Sequence, residues 1–425
     1  FALLLAGGIP VWMTLRAGRA IRRRLRDAAA CPPPGSWPEV CMVLPCRGAN
    51  PDLETNLRTL LEQDYPCFSA LLVTTGDDAS LPLLRRLASD YPARARLVLA
   101  PQTETAAQKL TNQLAALDCA PASAEVYAFV DTDGQAGSGY LKSMASALGR
   151  DRTVGLVTGW WWYLPERSAF WGFVRSCWSA GAIPFLFDRR WNIASGGSML
   201  VRREVFEACG ARARWRHAIS DGLSLAQAVK EKGLEVRFVP EATIVSKIPA
   251  DFAGALEWTN RQATISHVYM PRFWRATAVA YALQVGGLVL ALCGGGWALG
   301  LWGLAGMLAG YTGLQLANAA LMLRLAGGIL PAGARKNIEE HRLIYILAAP
   351  AATWLYGINV LRSSFSRRIA WGGISYRLVS ARETVARSTP TRFFCPPERP
   401  EGMRLSKPES ETTRRRSAIR AAISS

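Results

Sequence analysis

The stretch Phe129-Val130-Asp131-Thr132-Asp133-Gly134 carries the strongest local signal in the sequence. It is an apolar strand that ends on two aspartates, two positions apart. In extended backbone both carboxylates point the same way, so they can share one divalent cation and the diphosphate which that cation holds. An Asx-type turn that caps the next helix is the alternative for an isolated pair of this kind. The sequence on either side favours the first interpretation.

Strand and helix patterns alternate around this stretch. The predicted elements, in order, are a strand at 40–44, a helix at 53–62, a strand at 70–74, a helix at 81–89, a strand at 96–99, a helix at 107–117 and a strand at 126–130. This alternation predicts an α/β fold, Rossmann-like, with a mainly parallel sheet covered by helices on both faces. Ligands of such sheets bind at the carboxyl ends of the strands.

Polar residues that follow a predicted strand or open a predicted helix are therefore the first candidates for a site. Pro45 and Arg47 follow the first strand and form a rigid turn with a guanidinium suited to phosphate. Asp77 and Asp78 follow the second strand, where they could bind a nucleoside base or ribose, although a solvated loop fits their position equally well. Lys109, at the start of a helix, is another candidate phosphate ligand.

Two later segments add candidates. Gly196 and Gly197 precede an apolar stretch and would let the backbone approach a ligand closely, or would form a hairpin turn. Asp221 opens a predicted helix, either as its N-cap or as a catalytic base. Residue type and position leave both alternatives open.

Charge and hydrophobicity indicate a membrane protein. The chain has 425 residues, of which 50% are hydrophobic, and a formal net charge of +18. Most of this charge lies in an arginine cluster at 16–26 and in the tail at 362–425, which argues against a nucleic-acid partner because such a protein needs a basic stripe on its folded domain. Basic residues beside an apolar segment suit an anionic lipid bilayer. Nine scattered cysteines predict neither zinc nor disulfides.

Six regions are predicted along the chain. They are an N-terminal transmembrane helix at 1–15, truncated at its start, a basic juxtamembrane linker at 16–39, a catalytic domain at 40–271, a C-terminal membrane region at 272–361, a cytoplasmic segment at 362–388, and a disordered basic tail at 389–425. Because the arginine cluster follows the first apolar helix, we expect the catalytic domain on the cytoplasmic side of a bacterial-type inner or plasma membrane.

The C-terminal membrane region contains three apolar segments. Those at 276–293 and 297–323 are near or above the length that spans a bilayer, with a tight turn predicted at 294–296. The third, at 343–361, contains Pro350 and is predicted to be a broken hairpin. The aromatic region at 160–191 is interpreted either as a ledge at the membrane surface that receives a lipid or as core packing.

Taken in order, these residues resemble glycosyltransferase family 2, most closely the branch that contains ceramide glucosyltransferases and related bacterial glycolipid and hopanoid sugar transferases. The matching motifs are Pro45–Gly48, Leu57–Pro66, Asp77–Asp78, Gln108–Asn112, Asp131 with Asp133, Gly196–Met199, and Ser220, Asp221 and Leu223, with a weaker echo in the "WxxxxYRL"-like stretch Trp371–Leu378.

The resemblance implies a GT-A fold and an inverting mechanism. It implies that Asp77 or Asp78 contacts the nucleoside, that Asp131 and Asp133 bind the diphosphate through Mg²⁺ or Mn²⁺, and that Asp221 is the base. It also implies acceptor or related roles for Gly196, Gly197, Arg261, Gln262, Trp371, Tyr376 and Arg377. The implied reaction is non-processive transfer of a hexose or N-acetylhexosamine from a nucleotide sugar, a UDP-sugar, to the hydroxyl of a membrane lipid such as a ceramide, a diacylglycerol or a hopanoid.

Two positions depart from the family pattern. Gly222 stands where a second acidic residue often follows the base, and the segment 257–262 lacks the usual order of the (Q/R)xxRW motif, so that Arg261 and Gln262 would have to fill its role. The alternatives are a processive polysaccharide synthase, which would normally show that motif and more spanning helices, and a catalytically impaired membrane scaffold.

Overall fold

The structure is a computed structural model that describes residues 2–30, 35–103, 105–165, 169–247 and 249–387. The predicted basic tail at 389–425 and part of the predicted linker at 16–39 lie outside these ranges.

The helices, in chain order, are α1 (Ala2–Ala30), α2 (Leu53–Leu61), α3 (Leu81–Asp90), α4 (Gln108–Asp118), α5 (Tyr140–Gly149), α6 (Phe170–Ala180), α7 (Ile183–Leu186), α8 (Arg203–Ala208), α9 (Ala211–Trp215), α10 (Asp221–Glu231), α11 (Phe252–Tyr269), α12 (Pro271–Gly327), α13 (Ala332–Glu340) and α14 (Arg342–Phe365). The strands are β1 (Val40–Pro45), β2 (Phe68–Thr75), β3 (Ala95–Ala100), β4 (Val126–Val130), β5 (Val154–Tyr163), β6 (Ser198–Arg202), β7 (Glu235–Ser246), β8 (Arg368–Trp371), β9 (Ile374–Ser380) and β10 (Glu383–Arg387). The seven elements predicted between 40 and 130 are all confirmed, with ends that differ by two residues or fewer.

A seven-stranded sheet organises residues 40–246. Its strand order is β3-β2-β1-β4-β6-β5-β7, and every neighbouring pair is parallel except those of β6, which runs antiparallel to both β4 and β5. The predicted mixed α/β fold with a mainly parallel sheet is confirmed. A separate antiparallel sheet, β10-β9-β8, follows the last helix.

Both faces of the main sheet are covered, which explains the apolar runs in its central strands. On one face, Phe129 packs edge-on against Trp215, with ring centroids 4.8 Å apart. On the other face, Leu200 contributes to a second core together with Val130 and Leu141. Three residues that follow α14, namely Ile369, Tyr376 and Leu378, join the core of Phe129.

Three features between the main sheet and the chain ends differ from the prediction. The first helix, α1, continues through the arginines to Ala30, so residues 16–30 are helical rather than a linker. Arginine is a good helix former, and Arg23 pairs with Asp27 one turn later at 3.9 Å. In α12 the non-helical residue is Gly300, with φ of 64°, rather than a turn at 294–296. Glycine adopts this φ without steric cost.

The third correction concerns α14, which is one helix through Pro350 and not a broken hairpin. Tyr345 packs on Phe173 of α6 with ring centroids 4.8 Å apart. At the other end of α14, the carbonyl oxygen of Ser363 lies 2.8 Å from Nδ1 of His267 on α11. This support along its length lets the helix continue past the backbone hydrogen bond that a proline removes.

Two helices in the described part of the chain are long and apolar enough to cross a bilayer, Pro271–Cys293 and Arg342–Phe365. Neither α1 nor the second half of α12 meets this criterion, so the spans predicted there stay predictions. Helix α14 exposes many large apolar residues, which are Leu343, Leu347, Trp354, Ile358, Leu361 and Phe365.

The aromatic region at 160–191 is mostly packed inside the protein. Trp161 and Trp162 of β5 are buried. Trp178 stacks on Tyr356 of α14, with ring centroids 5.0 Å apart. Core packing is therefore the correct interpretation for these side chains, while Phe170 remains exposed.

We expect Leu200→Ala to lower the midpoint of thermal unfolding strongly, because it leaves a cavity under a fully buried strand that costs about 2–5 kcal/mol. Leu99→Ala is the matched control, since Leu99 is a strand residue of the same sheet with 53% of its surface exposed. Its effect on the free energy of unfolding should stay within about 0.5 kcal/mol. Equal losses in the two variants would contradict the burial described for β6.

Candidate active site

The candidate site lies at the carboxyl ends of β1, β2 and β4, where hydrogen bonds join three loops. The N–H of Asp131 donates to the carbonyl oxygen of Gly197 at 3.0 Å. The hydroxyl of Thr132 donates to the carbonyl oxygen of Pro45 at 3.2 Å, and the amide of Asn56 donates to the carbonyl oxygen of Thr132 at 3.1 Å. The two aspartates that follow β4 are thus held between the turn after β1 and the loop before β6.

Lys109 is the centre of the site. Its Nζ lies 2.6 Å from Oδ1 of Asp131 and 2.9 Å from Oδ2 of Asp221, and it also donates to the carbonyl oxygen of Gly196 at 3.2 Å. Burial lowers the pKa of Lys109, but the two carboxylates more than compensate, so the net shift is upward and the ammonium is retained. One buried cation therefore connects the carboxylate after β4 with the carboxylate that opens α10.

Helix α10 is capped by Ser220, whose side chain accepts from the N–H of Leu223 at 3.3 Å. Asp221 is the first residue of the helix and not its cap. Its side chain is therefore available for other contacts, which resolves the alternative that the sequence left open about the N-cap.

Asp221 is 4% exposed, and both of its oxygens accept hydrogen bonds. Oδ1 accepts from the N–H of Gly222 at 2.8 Å, and Oδ2 accepts from the amide of Gln113 at 2.9 Å. Burial alone would raise the pKa of this carboxyl, but the charge of Lys109 and the hydrogen bonds outweigh burial and lower it. The side chain is consequently a buried carboxylate rather than a carboxylic acid.

Asp133 is in the opposite electrostatic situation. Burial, and after it the charge of Asp131, raises the pKa of Asp133 to about 6. Its Oδ1 is buried and has no hydrogen-bond partner in the part of the chain that the structure describes. Burial also raises the pKa of Asp131. Two close carboxylates that destabilise each other's charge are a suitable pair for a divalent cation.

The described residues contain no cluster of three or more His, Cys, Asp or Glu side chains that could hold a metal ion unaided. A cation at Asp131 and Asp133 would need further oxygen ligands from a bound molecule or from water. This suits a metal that binds together with a phosphate group, since Mg²⁺ usually keeps waters and uses one or two carboxylates plus phosphate oxygens.

Glycines bring the backbone close to both acidic groups. A Cβ atom at Gly197 would lie 2.7 Å from Oδ2 of Asp131, and one at Gly196 would collide with Oδ1 of Asp221. A Cβ at Gly222 would collide with the carbonyl oxygen of Ala194 and lie 2.7 Å from the nitrogen of Gly196. Packing of this loop against the start of α10 therefore requires glycine at 222, where the family pattern often has an acidic residue.

The two aspartates that follow β2 have different surroundings. Asp78 holds the loops together, because its Oδ1 accepts from the N–H of Gly48 at 2.9 Å and from Ser80. Asp77 is exposed and accepts from the amide of Gln102 at 2.9 Å. Hydrogen bonds, first that of Thr75, lower the pKa of Asp77. Of the two, Asp77 is the carboxylate that remains accessible, together with the exposed side chain of Arg47.

The C-terminal sheet brings part of its motif to this region. The guanidinium of Arg261 lies over the ring of Trp371, 5.5 Å from its centroid. The hydroxyl of Tyr376, a residue only 2% exposed, accepts from the N–H of Gln108 at 3.3 Å, next to Lys109 in the chain. Gln262 is half-buried on α11. Arg377 is exposed on β9 and is not among the residues that the structure brings together here.

Two side chains of the site were missed by sequence reasoning. Gln113 donates to Asp221, and its position four residues after Lys109 on a helix places both on one face, a signal that could have identified it. Trp161 lines the same loop, because a Cβ at Gly197 would lie 2.5 Å from its Nε1. Nothing in the local sequence links that tryptophan to the loop.

We expect Gly222→Ala to lower the midpoint of thermal unfolding, because the added methyl group overpacks rigid backbone, at a cost of about 1–3 kcal/mol. Gly149→Ala, at the end of α5, is the control. A Cβ there meets nothing within 4 Å, and alanine favours a helix, so its midpoint should stay the same or rise. If both variants unfold at the wild-type temperature, the close contact of position 222 with the backbone of Ala194 and Gly196 would be contradicted.

The raised pKa of Asp133 predicts a stability that falls as pH rises from about 4 to about 6, because the folded protein binds this proton more tightly than the unfolded chain. In metal-free buffer at pH 8, Asp133→Asn should therefore unfold at a higher temperature than wild type, with a free energy of unfolding larger by at most about 3 kcal/mol. At pH 4 the two proteins should unfold at the same temperature. The exposed Asp52→Asn should match wild type at both values. A destabilised Asp133→Asn at pH 8 would contradict this prediction.

Comparison with solved structures finds glycosyltransferases. One match is the mannosyltransferase PcManGT from Pyrobaculum calidifontis in complex with GDP-Man and Mn²⁺, with 18% sequence identity and a TM-score of 0.44, over 85% of this chain and 97% of that one. Another is GalNAc-T7 with UDP, GalNAc and Mn²⁺, with 9% identity and a TM-score of 0.39, over 55% of this chain and 48% of that one.

The sequence comparison is more specific. Residues 4–383 match the model of glycosyl transferase family 21, a ceramide glucosyltransferase-like family. The family is thus numbered 21, where the motifs indicated family 2 and its ceramide glucosyltransferase-like branch. The match covers the candidate site, the helices that follow it and most of the C-terminal sheet, and it shows that the chain belongs to glycosyl transferase family 21.

Proposed function

We propose that this protein transfers a hexose or N-acetylhexosamine from a UDP-sugar to the hydroxyl of a membrane lipid, in one step with inversion at the anomeric carbon. The observation that carries the proposal is the buried carboxylate of Asp221, which Lys109 connects to Asp131 through contacts of 2.9 and 2.6 Å. The ammonium group of Lys109 thus lies between Asp221, the proposed base for the acceptor, and Asp131, a carboxylate on the proposed donor side.

Asp221 is proposed as the general base. Its lowered pKa keeps the carboxylate ionised at neutral pH. Oδ2 accepts from both Gln113 and Lys109, whereas Oδ1 accepts only from the N–H of Gly222 and retains a lone pair for the acceptor proton. The acceptor hydroxyl would give its proton to Asp221 as its oxygen attacks the anomeric carbon and the bond to the nucleoside diphosphate breaks. No covalent enzyme intermediate is needed in this scheme.

Asp131 and Asp133 are proposed to hold Mg²⁺ or Mn²⁺ in a GT-A type domain. The unpartnered buried oxygen of Asp133 supports this assignment. When bound, the cation would neutralise charge on the leaving diphosphate. Lys109 would add a second positive charge beside it, and Arg47 and Asp77 would contact the phosphates and the nucleoside from the loops after β1 and β2.

A lipid acceptor is supported by the apolar surface next to the catalytic domain. The helix Pro271–Cys293 has the length and hydropathy of a membrane span. Helix α14 packs on α6 and α11 with one side and exposes apolar side chains on the other, as a helix lying at a membrane surface would. We propose an integral membrane protein with a cytoplasmic catalytic domain, in a bacterial-type inner membrane.

Gly222 does not argue for an inactive scaffold in this proposal. The position is filled by packing against Ala194 and Gly196, and an acidic side chain there would displace the loop that carries Gly196 and Gly197. The glycine at position 222 is therefore explained by tight packing around the proposed base, Asp221, and does not indicate that the base is missing.

The test is to incubate membranes containing the protein with several labelled UDP-sugars and Mn²⁺, and to measure label in the lipid extract and in insoluble polymer. We expect label in the lipid with at least one donor, and a loss of at least about a hundredfold for Asp221→Asn, in line with removal of a general base. EDTA should abolish the transfer, and added Mn²⁺ should restore it.

Asp90→Asn, on the exposed end of α3, is the matched control and should retain wild-type transfer. UDP binding measured on the same preparations shows whether Asp221→Asn is folded. Label in polymer would replace the proposal by a processive synthase. No transfer from any donor, or a fully active Asp221→Asn, would overturn it.

A further inference from the structure

A second cavity lies behind Arg261, outside the cluster of Lys109 and the aspartates. It has a volume of about 370 Å³ and opens between α11, the end of α14 and β8. Its polar lining comes from Arg261, Arg362, Arg368, Glu257 and Asn260, and apolar side chains such as Leu256 and Ile369 complete the walls. The proposed transfer reaction assigns no step to these residues, and among them the family resemblance implies a role for Arg261 only.

The cavity carries excess positive charge. Its lining residues include three arginines and one acidic residue, Glu257. Within the described ranges, Arg261, Arg362 and Arg368 form no ion pair with any acidic side chain. Arginine binds phosphate with its planar, forked donors, so three arginines around one cavity favour a phosphate-bearing ligand.

The lining also contains a polar atom that needs a partner. Oδ1 of Asn260 is buried and has no hydrogen-bond partner among the described residues. A buried amide oxygen of this kind is costly unless a donor reaches it. The residues that line the cavity thus include a polar group that the described part of the chain leaves unsatisfied.

Exposed apolar residues neighbour the lining residues along α11 and α14. Phe252 precedes the lining residue Ala253, and Leu361 precedes Arg362; they are 50% and 61% exposed. Phe365, three residues after Arg362, is 85% exposed. Leu361 and Phe365 are two of the exposed apolar residues of α14. A soluble anion would not contact these apolar side chains, whereas a lipid could place its acyl chains against them and its headgroup in the cavity.

We propose that this cavity binds the anionic headgroup of a glycerophospholipid from the surrounding bilayer. The headgroup phosphate contacts Arg362 and Arg368, and the acyl chains lie along Phe252, Leu361 and Phe365. Because Arg261 both lines the cavity and stacks on Trp371, the bound headgroup also fixes the junction between α11 and the C-terminal sheet.

The experiment measures binding of a short-chain phosphatidylglycerol, below its micelle concentration, to the detergent-solubilised full-length protein by calorimetry. The same titration is made with short-chain phosphatidylcholine and with glycerol 3-phosphate. We expect phosphatidylglycerol to bind at least about tenfold more tightly than either. The double variant R362Q/R368Q should weaken its binding about thirtyfold, as expected for two guanidinia near an anionic headgroup.

The matched control is R85Q/R96Q, which removes the same charge from two exposed residues of α3 and β3, and it should bind like wild type. Equal weakening in both double variants would show general charge attraction and overturn the proposal. Glycerol 3-phosphate that binds as tightly as the lipid would make the cavity a site for soluble anions and would also overturn it. The titration needs neither donor nor metal, so its result does not depend on the proposed transfer reaction.

Discussion

The site depends on the neutralisation of buried charge. Lys109, Asp131 and Asp221 are drawn from α4, the end of β4 and the start of α10, and the two carboxylates offset the cost of taking the ammonium out of water. The sheet order places β4 and β6 side by side, which brings the loop of Gly196 and Gly197 across the carboxylates. The positions of the loops, the small residues in them and the capping of α10 all follow from the need to hold one ammonium between two carboxylates.

The site is also where the protein gives up stability. Asp133 keeps a buried oxygen that has no partner among the described residues, and its pKa is raised by burial and by Asp131. A chain selected for stability alone would have an amide or an apolar residue at that position. The carboxylate stands at a place where its charge is unfavourable in the protein alone, which is characteristic of groups that bind a ligand rather than support the fold.

Local pattern was sufficient for the first half of the catalytic domain, and long-range packing decided what it missed. Strands such as Val126–Val130 and helices such as Leu53–Leu61 are set by short apolar periodicities, and their ends agree with the structure. The continuous α14 could not be predicted, because the support that carries it past Pro350 comes from α6 and α11, far away in sequence. The same holds for Gly222, whose identity is dictated by the backbone of a loop some 25 residues earlier. The sequence motifs identified Lys109, Asp131 and Asp221 as three separate candidates, but they did not predict the contacts through which Lys109 joins the two carboxylates.

The position of Tyr376 has a consequence for how the enzyme is made. This residue, with Ile369 and Leu378, belongs to the apolar core that also contains Leu110 and Phe129, yet it follows every helix of the chain that the structure describes. A ribosome delivers the sheet and the acidic cluster first, and the strand that covers the start of α4 last. The domain therefore remains incomplete throughout the synthesis of α12 and α14, and its core closes only after those helices have emerged. Nascent chains that stall before α14 would present an open core to chaperones and proteases, so the lifetime of the unfinished protein depends on how soon its last strands are made.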